Sequence, residues 1–293
     1  MKKNLTFAVV GGDMRQMHLA SLLAADGHDV LAYALDNAPS KEKVVPCFDL
    51  GRLSEKVSCV VLPIPVRGAG GRLNAPMSER EIELSSLFSI FPTGQTVIAG
   101  KIDNDLFQSA GRSGLRLYDY LEREDFTVYN SISTAEGAIE TAMHETARTL
   151  HGRRALVIGF GHIGKILSQK LYALGADVTA SARKFGDMAW ISACGFRSVQ
   201  TADISESLKD FDIIFNTVPS LILNDEKLDM VPRGTLIIDL ASKPGGVDFH
   251  AARRRGIKTI HALSLPGKVA PISAAEAMRD TIYNILHEWG IDG

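Results

Sequence analysis

The chain has 293 residues, of which 45% are hydrophobic and 23% charged, and its formal net charge at pH 7 is −2. These values are typical of a soluble globular protein with two ordinary domains. The balanced charge gives no electrostatic reason to expect binding to nucleic acid or to an anionic membrane surface. No stretch resembles a signal peptide or a membrane span, so we expect a cytoplasmic protein.

The first half of the chain alternates short apolar runs with helical patterns. A buried strand is predicted over residues 5–10, followed by Gly11-Gly12-Asp13 and a helix to Ala25. Further strands are predicted at Asp29–Tyr33, Ser58–Leu62, Gln95–Ala99 and Leu115–Tyr118, with helices around 79–90 and 103–112. Such alternation predicts a parallel sheet.

Two segments of this half carry candidate substrate ligands. Asp13 occupies the position at which a dinucleotide-binding turn has its second glycine, so we expect a turn that binds no nucleotide, with Arg15 at the edge of a cleft. The Gly/Pro-rich loop 63–76 is a candidate ligand-covering loop in which Arg67 could bind a carboxylate. A mobile surface loop with solvated arginines is an equal alternative.

A long helix is predicted from Thr134 to Leu150, with Ser133 or Thr134 as its N-cap and Glu136 in its first turn. We expect its N-terminus, with Ser131 and Thr134, to lie at the floor of a cleft and to receive an anionic group of a substrate. Glu136 is a candidate catalytic carboxylate, although a capping role alone explains its position.

The second half contains a dinucleotide-binding fingerprint. The strand near 153–158 precedes Gly159-Phe160-Gly161-His162-Ile163-Gly164, which opens a helix ending at Gly175. The glycines Gly159, Gly161 and Gly164 serve the turn, the approach of a pyrophosphate and the packing of helix on strand. His162 and Ile163 begin the helix whose N-terminus faces the phosphates.

The end of the next strand indicates which dinucleotide binds. Ser181, Arg183 and Lys184 stand there, and Arg183 follows Gly164 by 19 residues, close to the spacing of about 20 at which NAD enzymes have an acid. A guanidinium with a neighbouring ammonium and the hydroxyl of Ser181 suits a 2′-phosphate, which predicts NADP. Asp177 lies at the opposite end of that strand. A solvated basic turn is the alternative.

Further strands are predicted near 177–181, 196–199, 212–216, 235–239 and 257–260. Thr217 and Pro219 follow the fourth strand of this half, and Ala241 and Lys243 follow the fifth, beside the expected nicotinamide. Lys243 is our first choice for the catalytic residue, and Lys268 is a candidate substrate ligand.

Together the patterns of both halves predict an α/β protein of two Rossmann-like, doubly wound parallel-sheet domains with a cleft between them. Residues 1–130 form the substrate domain, on which a helix over 271–289 packs back, and residues 131–270 form the NADP-binding domain.

Several blocks together resemble the family of the dipicolinate synthase A subunit. They are V-V-G-G-D-M-R-Q (9–16), Y-N-S-I-S-T-A-E-G (129–137), the fingerprint (151–165), N-T-V-P-S-L-I-L-N (216–224), I-D-L-A-S-K-P-G-G-V-D-F (238–249) and L-P-G-K-V-A-P (265–271). The resemblance implies NADP-dependent oxidation of a dihydrodipicolinate-type ring to pyridine-2,6-dicarboxylate in the mother cell of a sporulating bacterium. It also implies that the partner is the flavoprotein-like dipicolinate synthase B subunit, with homo-oligomers within a hetero-oligomer.

Three alternatives stay open. A 2-hydroxyacid dehydrogenase has the same plan, but its catalytic arginine loop is replaced here by the segment containing Lys243, and Pro266–Pro271 has no histidine. Adenosylhomocysteine hydrolase shares the linker and fingerprint, but it has an acid where Arg183 stands. A non-catalytic NADP-binding scaffold or sensor is the third, because no residue is an unmistakable catalyst.

Neither the general base nor the choice between a dihydro and a hydroxylated tetrahydro substrate follows from the residues. Cys47, Cys59 and Cys194 show no disulfide or zinc spacing, and we expect no metal site.

Overall fold

The structure, a computed structural model, describes residues 4–39, 42–54 and 57–291. Contacts between residues divide the chain into two compact units. Unit 1 comprises Met1–Tyr129 and Ala270–Gly293, and unit 2 comprises Asn130–Val269.

Unit 1 contains a parallel sheet to which the described residues contribute six strands. They are β1 (Thr6–Val10), β2 (Asp29–Tyr33), β3 (Val44–Cys47), β4 (Cys59–Val61), β5 (Thr96–Ala99) and β6 (Arg116–Asp119), with helices α1 (Met14–Ala25), α2 (Leu84–Ser89) and α3 (Asn104–Arg112). The strand order is β3-β2-β1-β4-β5-β6, the doubly wound order whose switch point lies between β1 and β4. Phe7 and Val9 pack on one face of the sheet, and Ala8 and Val10 pack on the other. This alternation explains the continuous apolar run.

Helix α4 (Glu124–Thr146) contains the boundary between the units, and unit 2 repeats the same topology. Its strands are β7 (Arg154–Ile158), β8 (Asp177–Ala182), β9 (Arg197–Gln200), β10 (Ile213–Asn216), β11 (Leu236–Asp239) and β12 (Lys258–His261). Its helices are α5 (His162–Ala173), α6 (Phe185–Ala193), α7 (Asp225–Leu228), α8 (Phe249–Arg255) and α9 (Leu265–Val269). The order β12-β11-β10-β7-β8-β9 places the switch point between β7 and β10. The predicted fold class of two doubly wound parallel sheets is confirmed.

The last helix, α10 (Pro271–Glu288), belongs to unit 1. It packs against α1, and Met278 and Ile282 share a fully buried cluster with Leu19 and Leu23. An apolar stripe on α10 therefore completes the core on one face of the first sheet.

Strand β3 was not predicted from the sequence. Val44-Val45-Pro46-Cys47 is short, contains a proline and lies at the edge of the sheet, where a missing N–H is tolerated. In addition, α2 begins at Leu84, so the helix predicted around 79–90 is shorter than expected.

The predicted start of the long helix at Thr134 was wrong. Helix α4 begins ten residues earlier, at Glu124, where Glu124 and Asp125 supply acidic side chains in its first turn. The polar segment 129–133 continues the helix without a break, and the Thr134 hydroxyl donates to the Asn130 carbonyl at 2.9 Å. Ser131, Thr134 and Glu136 therefore lie inside a helix, and no helix N-terminus is available there for a substrate anion.

Candidate dinucleotide site

The turn after β7 has the geometry that its glycines predict. Gly159 has a φ of 96°, in the left-handed region that favours glycine. A side chain at Gly164 would collide with the carbonyl oxygen of Gly159, so α5 can approach β7 closely only without one. By contrast, no atom of the described residues apart from Gly161 and its two chain neighbours lies within 4 Å of the Cβ position of Gly161. The turn therefore leaves open space at its middle glycine and none at its last.

Helix α5 begins directly after this turn. Gly161 is its N-cap, and the first intrahelical hydrogen bond runs from the Lys165 amide to the Gly161 carbonyl at 2.9 Å. The amides of the first turn precede that bond, and the helix dipole adds partial positive charge there. Backbone donors beside open space suit the pyrophosphate of a dinucleotide.

A groove of about 530 Å³ lies at the carboxyl ends of β7, β8 and β10, across the switch point of unit 2. This is the crevice in which doubly wound sheets bind ligands. Its walls are the glycine turn, the segment Thr217–Ser220 after β10, and the residues that follow β8. Thr217 fixes its wall to β7, because its hydroxyl and its amide both donate to the Ile158 carbonyl at 2.9 Å.

The end of the groove beside β8 carries basic side chains. Arg183 and Lys184 are exposed, line the groove and have no carboxylate partner among the described residues. Asp187, in the first turn of α6, is the acidic residue that lines the same groove. Asp177 begins β8 at the opposite edge of the sheet and pairs with Arg197. The charge at this end of the groove is therefore predominantly positive.

A buried network that sequence reasoning missed supports the two loops at this edge. Asp239, fully buried at the end of β11, accepts from Asn216 Nδ2 at 2.8 Å, from the Ala241 amide at 3.1 Å and from the Gly246 amide at 2.7 Å. Asn216 also donates to the Val218 carbonyl at 3.0 Å. Asp239 thereby fixes the loop 240–246 relative to β10. The signal available in the sequence was that two neighbouring apolar strands, β10 and β11, each end in a polar residue.

Not every predicted cofactor residue faces the groove. Pro219 and His162 line it. Ser181 is fully buried, and its hydroxyl lies 3.1 Å from the Thr201 hydroxyl, which corrects its predicted place beside a 2′-phosphate. Ile163 packs its side chain against the core. Ala241 is also buried, and its carbonyl accepts from His261 Nε2 at 2.8 Å. Ser181, Ile163 and Ala241 therefore do not line the groove, and they pack in the interior behind its walls.

The predicted catalytic and substrate residues of unit 2 are dispersed. Lys243 is exposed in the loop that Asp239 fixes, and Lys268 is exposed on the short helix α9. Glu136 pairs with Lys170 at 2.8 Å on the surface of α4 and α5, which corrects its predicted place in a helix first turn. Ser131 and Thr134 are buried within α4.

In unit 1, both predicted arginines have local partners. Arg15 is buried, and its guanidinium donates to Asp13 Oδ2 at 2.8 Å and to the Ile64 carbonyl at 2.7 Å. Arg67 pairs with Asp103 at 2.9 Å and with Asp105 at 2.6 Å. The prediction that Arg67 forks onto a substrate carboxylate therefore conflicts with its two acidic neighbours.

The switch point of unit 1 is filled by its own chain. The Gly12 amide, which in a dinucleotide site would face a phosphate, donates to the Asn74 carbonyl at 2.8 Å. At the end of β2, Asp36 stands near the position of a ribose-binding acid, but it pairs with Arg80 at 3.3 Å and accepts from Ser78. Segment 63–80 thus accepts the hydrogen bond of the Gly12 amide and pairs with Asp36, so neither group is available to a nucleotide.

The fold and the groove of unit 2 define a dehydrogenase-type domain for a nicotinamide cofactor. Residues 125–245 match the family described as D-isomer specific 2-hydroxyacid dehydrogenase, NAD binding domain. Residues 6–121 match the N-terminal domain of the dipicolinate synthase A subunit. The chain is 32% identical over 290 residues to the dipicolinate synthase A subunit of Bacillus subtilis, covering 98% of both chains. The chain belongs to the family of the dipicolinate synthase A subunit.

Solved structures agree with this assignment. The dipicolinate synthase A subunit from Bacillus subtilis superposes with a TM-score of 0.88 at 33% identity, covering 98% of this chain and 97% of the other. The same protein from Bacillus halodurans gives 0.88 at 31% identity, covering 96% and 97%. A transhydrogenase from Sinorhizobium meliloti, at 16% identity and a TM-score of 0.72 over 97% and 94% of the chains, shares the fold. The predicted family is confirmed, and the dehydrogenase domain supports an oxidoreductase. None of the helices in the described part of the chain has both the length and the apolar character to cross a membrane.

Proposed function

We propose that this chain oxidises dihydrodipicolinate to pyridine-2,6-dicarboxylate with NADP⁺, as the resemblance in its sequence implies. The observation that carries the proposal is a dehydrogenase-type dinucleotide groove within a chain that matches a dipicolinate synthase A subunit over 98% of its length. The reaction removes a hydride and a proton from the ring. Bound NADP⁺ supplies the hydride acceptor.

Groove residues have distinct proposed roles toward the cofactor. The open space at Gly161 and the first-turn amides of α5 would hold the pyrophosphate, and Thr217 and Pro219 would form the wall facing it. Arg183 and Lys184 would bind the 2′-phosphate, because a doubly charged anion there would neutralise two unpaired cations.

Lys243 remains our candidate for the residue that acts on the substrate. Its loop follows β11 at the carboxyl edge of the sheet, beside the expected nicotinamide, and Asp239 fixes that loop at both ends. An exposed ammonium can bind a substrate carboxylate or exchange a proton with water. Lys268 remains a proposal as a carboxylate ligand. We do not assign Arg15 or Arg67 to the substrate, because carboxylates of the chain already neutralise both. Glu136 is not assigned either, because Lys170 neutralises it.

Turnover tests the proposal directly. The purified chain is mixed with NADP⁺ and freshly generated dihydrodipicolinate, with and without a candidate flavoprotein-like B subunit from the same source. Absorbance of pyridine-2,6-dicarboxylate and of NADPH is followed together. We expect both absorbances to rise in step when the B subunit is present. By the same resemblance, we propose that the enzyme is made in the mother cell during sporulation. If neither rises in any combination while NADPH still binds, the substrate assignment is wrong and the cofactor assignment survives.

Replacing Lys243 distinguishes an enzyme from a cofactor-binding scaffold. In Lys243→Ala we expect turnover of the complex to fall by roughly 100-fold or more, because a proton-transfer or positioning group is lost. NADPH affinity and association with the B subunit should be unchanged. Ser242→Ala, at the exposed neighbouring position, serves as the matched control. Full turnover by Lys243→Ala would support the scaffold alternative.

Arg183→Asp tests the choice of cofactor. We expect the preference for NADPH over NADH, measured as the ratio of dissociation constants, to fall by at least about tenfold, because a charge-assisted contact to the 2′-phosphate is replaced by repulsion. Arg116→Asp, an exposed substitution in unit 1, should leave the ratio unchanged. An equal loss of affinity for both cofactors would show that Arg183 does not contact the 2′-phosphate.

A further inference from the structure

A second cavity, of about 500 Å³, lies at the amino-terminal edge of the unit 2 sheet. Its walls come from the beginnings of β7, β10, β11 and β12 and from the segments just before them, and these four strands are neighbours in the sheet. The dinucleotide groove uses the opposite, carboxyl edge. Because the five residues of β7 span roughly 16 Å, a ligand in one cavity does not touch a ligand in the other.

The cavity is strongly basic in a chain whose net charge is −2. Six cationic side chains line it, namely Arg148, Arg153, Arg154, Lys209, Arg233 and Lys258. The acidic side chains in its lining are Glu145 and Asp212. Like charges this close are mutually unfavourable unless an anion offsets them. The lining therefore has an excess of positive charge that the protein itself does not neutralise.

The hydrogen bonds and ion pairs show where the excess lies. Lys258 pairs with Glu145 at 2.6 Å, and this contact lowers the pKa of the Glu145 carboxyl. Arg153 reaches Asp212 only at 3.7 Å, and its buried Nε atom has no partner in the described part of the chain. Arg154 likewise reaches Asp210 only at 3.7 Å. Arg148, Lys209 and Arg233 are exposed and have no carboxylate partner among residues 4–39, 42–54 and 57–291.

A structural role explains some of these cations. Helix α4 ends at Thr146, and Lys258 donates to the carbonyl of Glu145 at 3.0 Å, so it offsets the negative end of that helix. Lys209 lies in the last turn of the 3-10 helix Thr201–Asp210, so it too lies at the negative end of a helix. Arg233 lies in a turn before β11 and Arg153 just before β7, so neither belongs to the last turn of a helix. Helix ends therefore leave part of the positive charge unexplained.

We propose that this cavity binds a small polyanion that carries at least two phosphate or carboxylate groups. The planar guanidinium of an arginine matches both groups bidentately, and a lysine adds a point charge. The volume accommodates a molecule of metabolite size. The site is separate from the cofactor groove, and its existence does not depend on the proposed oxidation.

The test uses the full chain and two probes, inorganic pyrophosphate and citrate, titrated calorimetrically at constant ionic strength. Acetate, which carries a single charge, is the third arm. We expect pyrophosphate, citrate or both to bind and acetate not to bind, and the stronger probe identifies a phosphate or a carboxylate ligand. In Lys209→Ala/Arg233→Ala the affinity should fall about tenfold or more. Arg112→Ala/Arg116→Ala, two exposed arginines of unit 1 without ion partners among the described residues, should bind as the wild type does.

Amide hydrogen exchange locates the binding, because pyrophosphate can also enter the dinucleotide groove. We expect protection of residues 145–154 and 230–236 in addition to any protection of 159–165. Protection confined to 159–165, equal affinity in Lys209→Ala/Arg233→Ala, or no binding of either polyanion would overturn the proposal. A fall in affinity also in the unit 1 control would show a general charge effect, and it too would overturn the site.

Discussion

Gly164→Ala should destabilise unit 2 and abolish dinucleotide binding. The new methyl group would collide with the carbonyl oxygen of Gly159, and its carbonyl carbon is only 2.9 Å from the Cβ position. Relief requires α5 to move away from β7, at a cost of roughly 1–3 kcal/mol. That cost outweighs the better helix propensity of alanine, which is about 1 kcal/mol. Denaturant unfolding gives the stability change, and fluorescence titration with NADPH gives the affinity.

Gly161→Ala is the matched control, because it changes the same motif without a collision. Apart from Gly161 and its two chain neighbours, no atom of the described residues lies within 4 Å of its Cβ position, and its φ of −80° suits any residue. We therefore expect the free energy of unfolding to stay within about 0.5 kcal/mol of wild type. NADPH affinity should nevertheless fall, since the methyl group fills the space proposed for the pyrophosphate. Unchanged affinity in Gly161→Ala would place the cofactor elsewhere.

Asp239→Asn is expected to have the second large effect. The carboxylate accepts three hydrogen bonds in a fully buried position, and Oδ2 takes the Gly246 amide at 2.7 Å. An asparagine that keeps Oδ1 on Asn216 and Ala241 directs its Nδ2 donor at that amide, which leaves two buried donors facing each other. We expect unit 2 to lose about 2–3 kcal/mol of stability, measured by urea unfolding.

The same substitution should affect function through the loop that contains Lys243. Without the hydrogen bond from the Gly246 amide, we expect faster amide exchange in residues 240–246 and lower turnover, with NADPH affinity less affected. Asp203→Asn, an exposed acid in the same unit, is the control and should change neither quantity. Unaltered stability of Asp239→Asn would mean that the loop is held by other interactions.

Local sequence patterns were sufficient to predict most of the strands in both sheets. Buried parallel strands are apolar along their whole length, so their positions were predicted to within about two residues, and the glycine turn after β7 was recognised with its neighbours. β3 was missed because an edge strand with Pro46 lacks that apolar run. The start of α4 was misplaced because serine and threonine favour caps in general, whereas here the Thr134 hydroxyl bonds within the helix.

The sequence by itself determined the fold class and the position of the dinucleotide turn, because both depend on short-range spacing of glycines and apolar residues. The family followed from the resemblance of its motif blocks. Only the tertiary structure decided which polar side chains are available. It paired Arg67 with Asp103 and Asp105, buried Ser181 against Thr201, and joined Asn216 to Asp239 across neighbouring strands. It also gathered six cations from distant segments at one sheet edge. The availability of a charge depends on partners far away in sequence, and only folding brings those partners together.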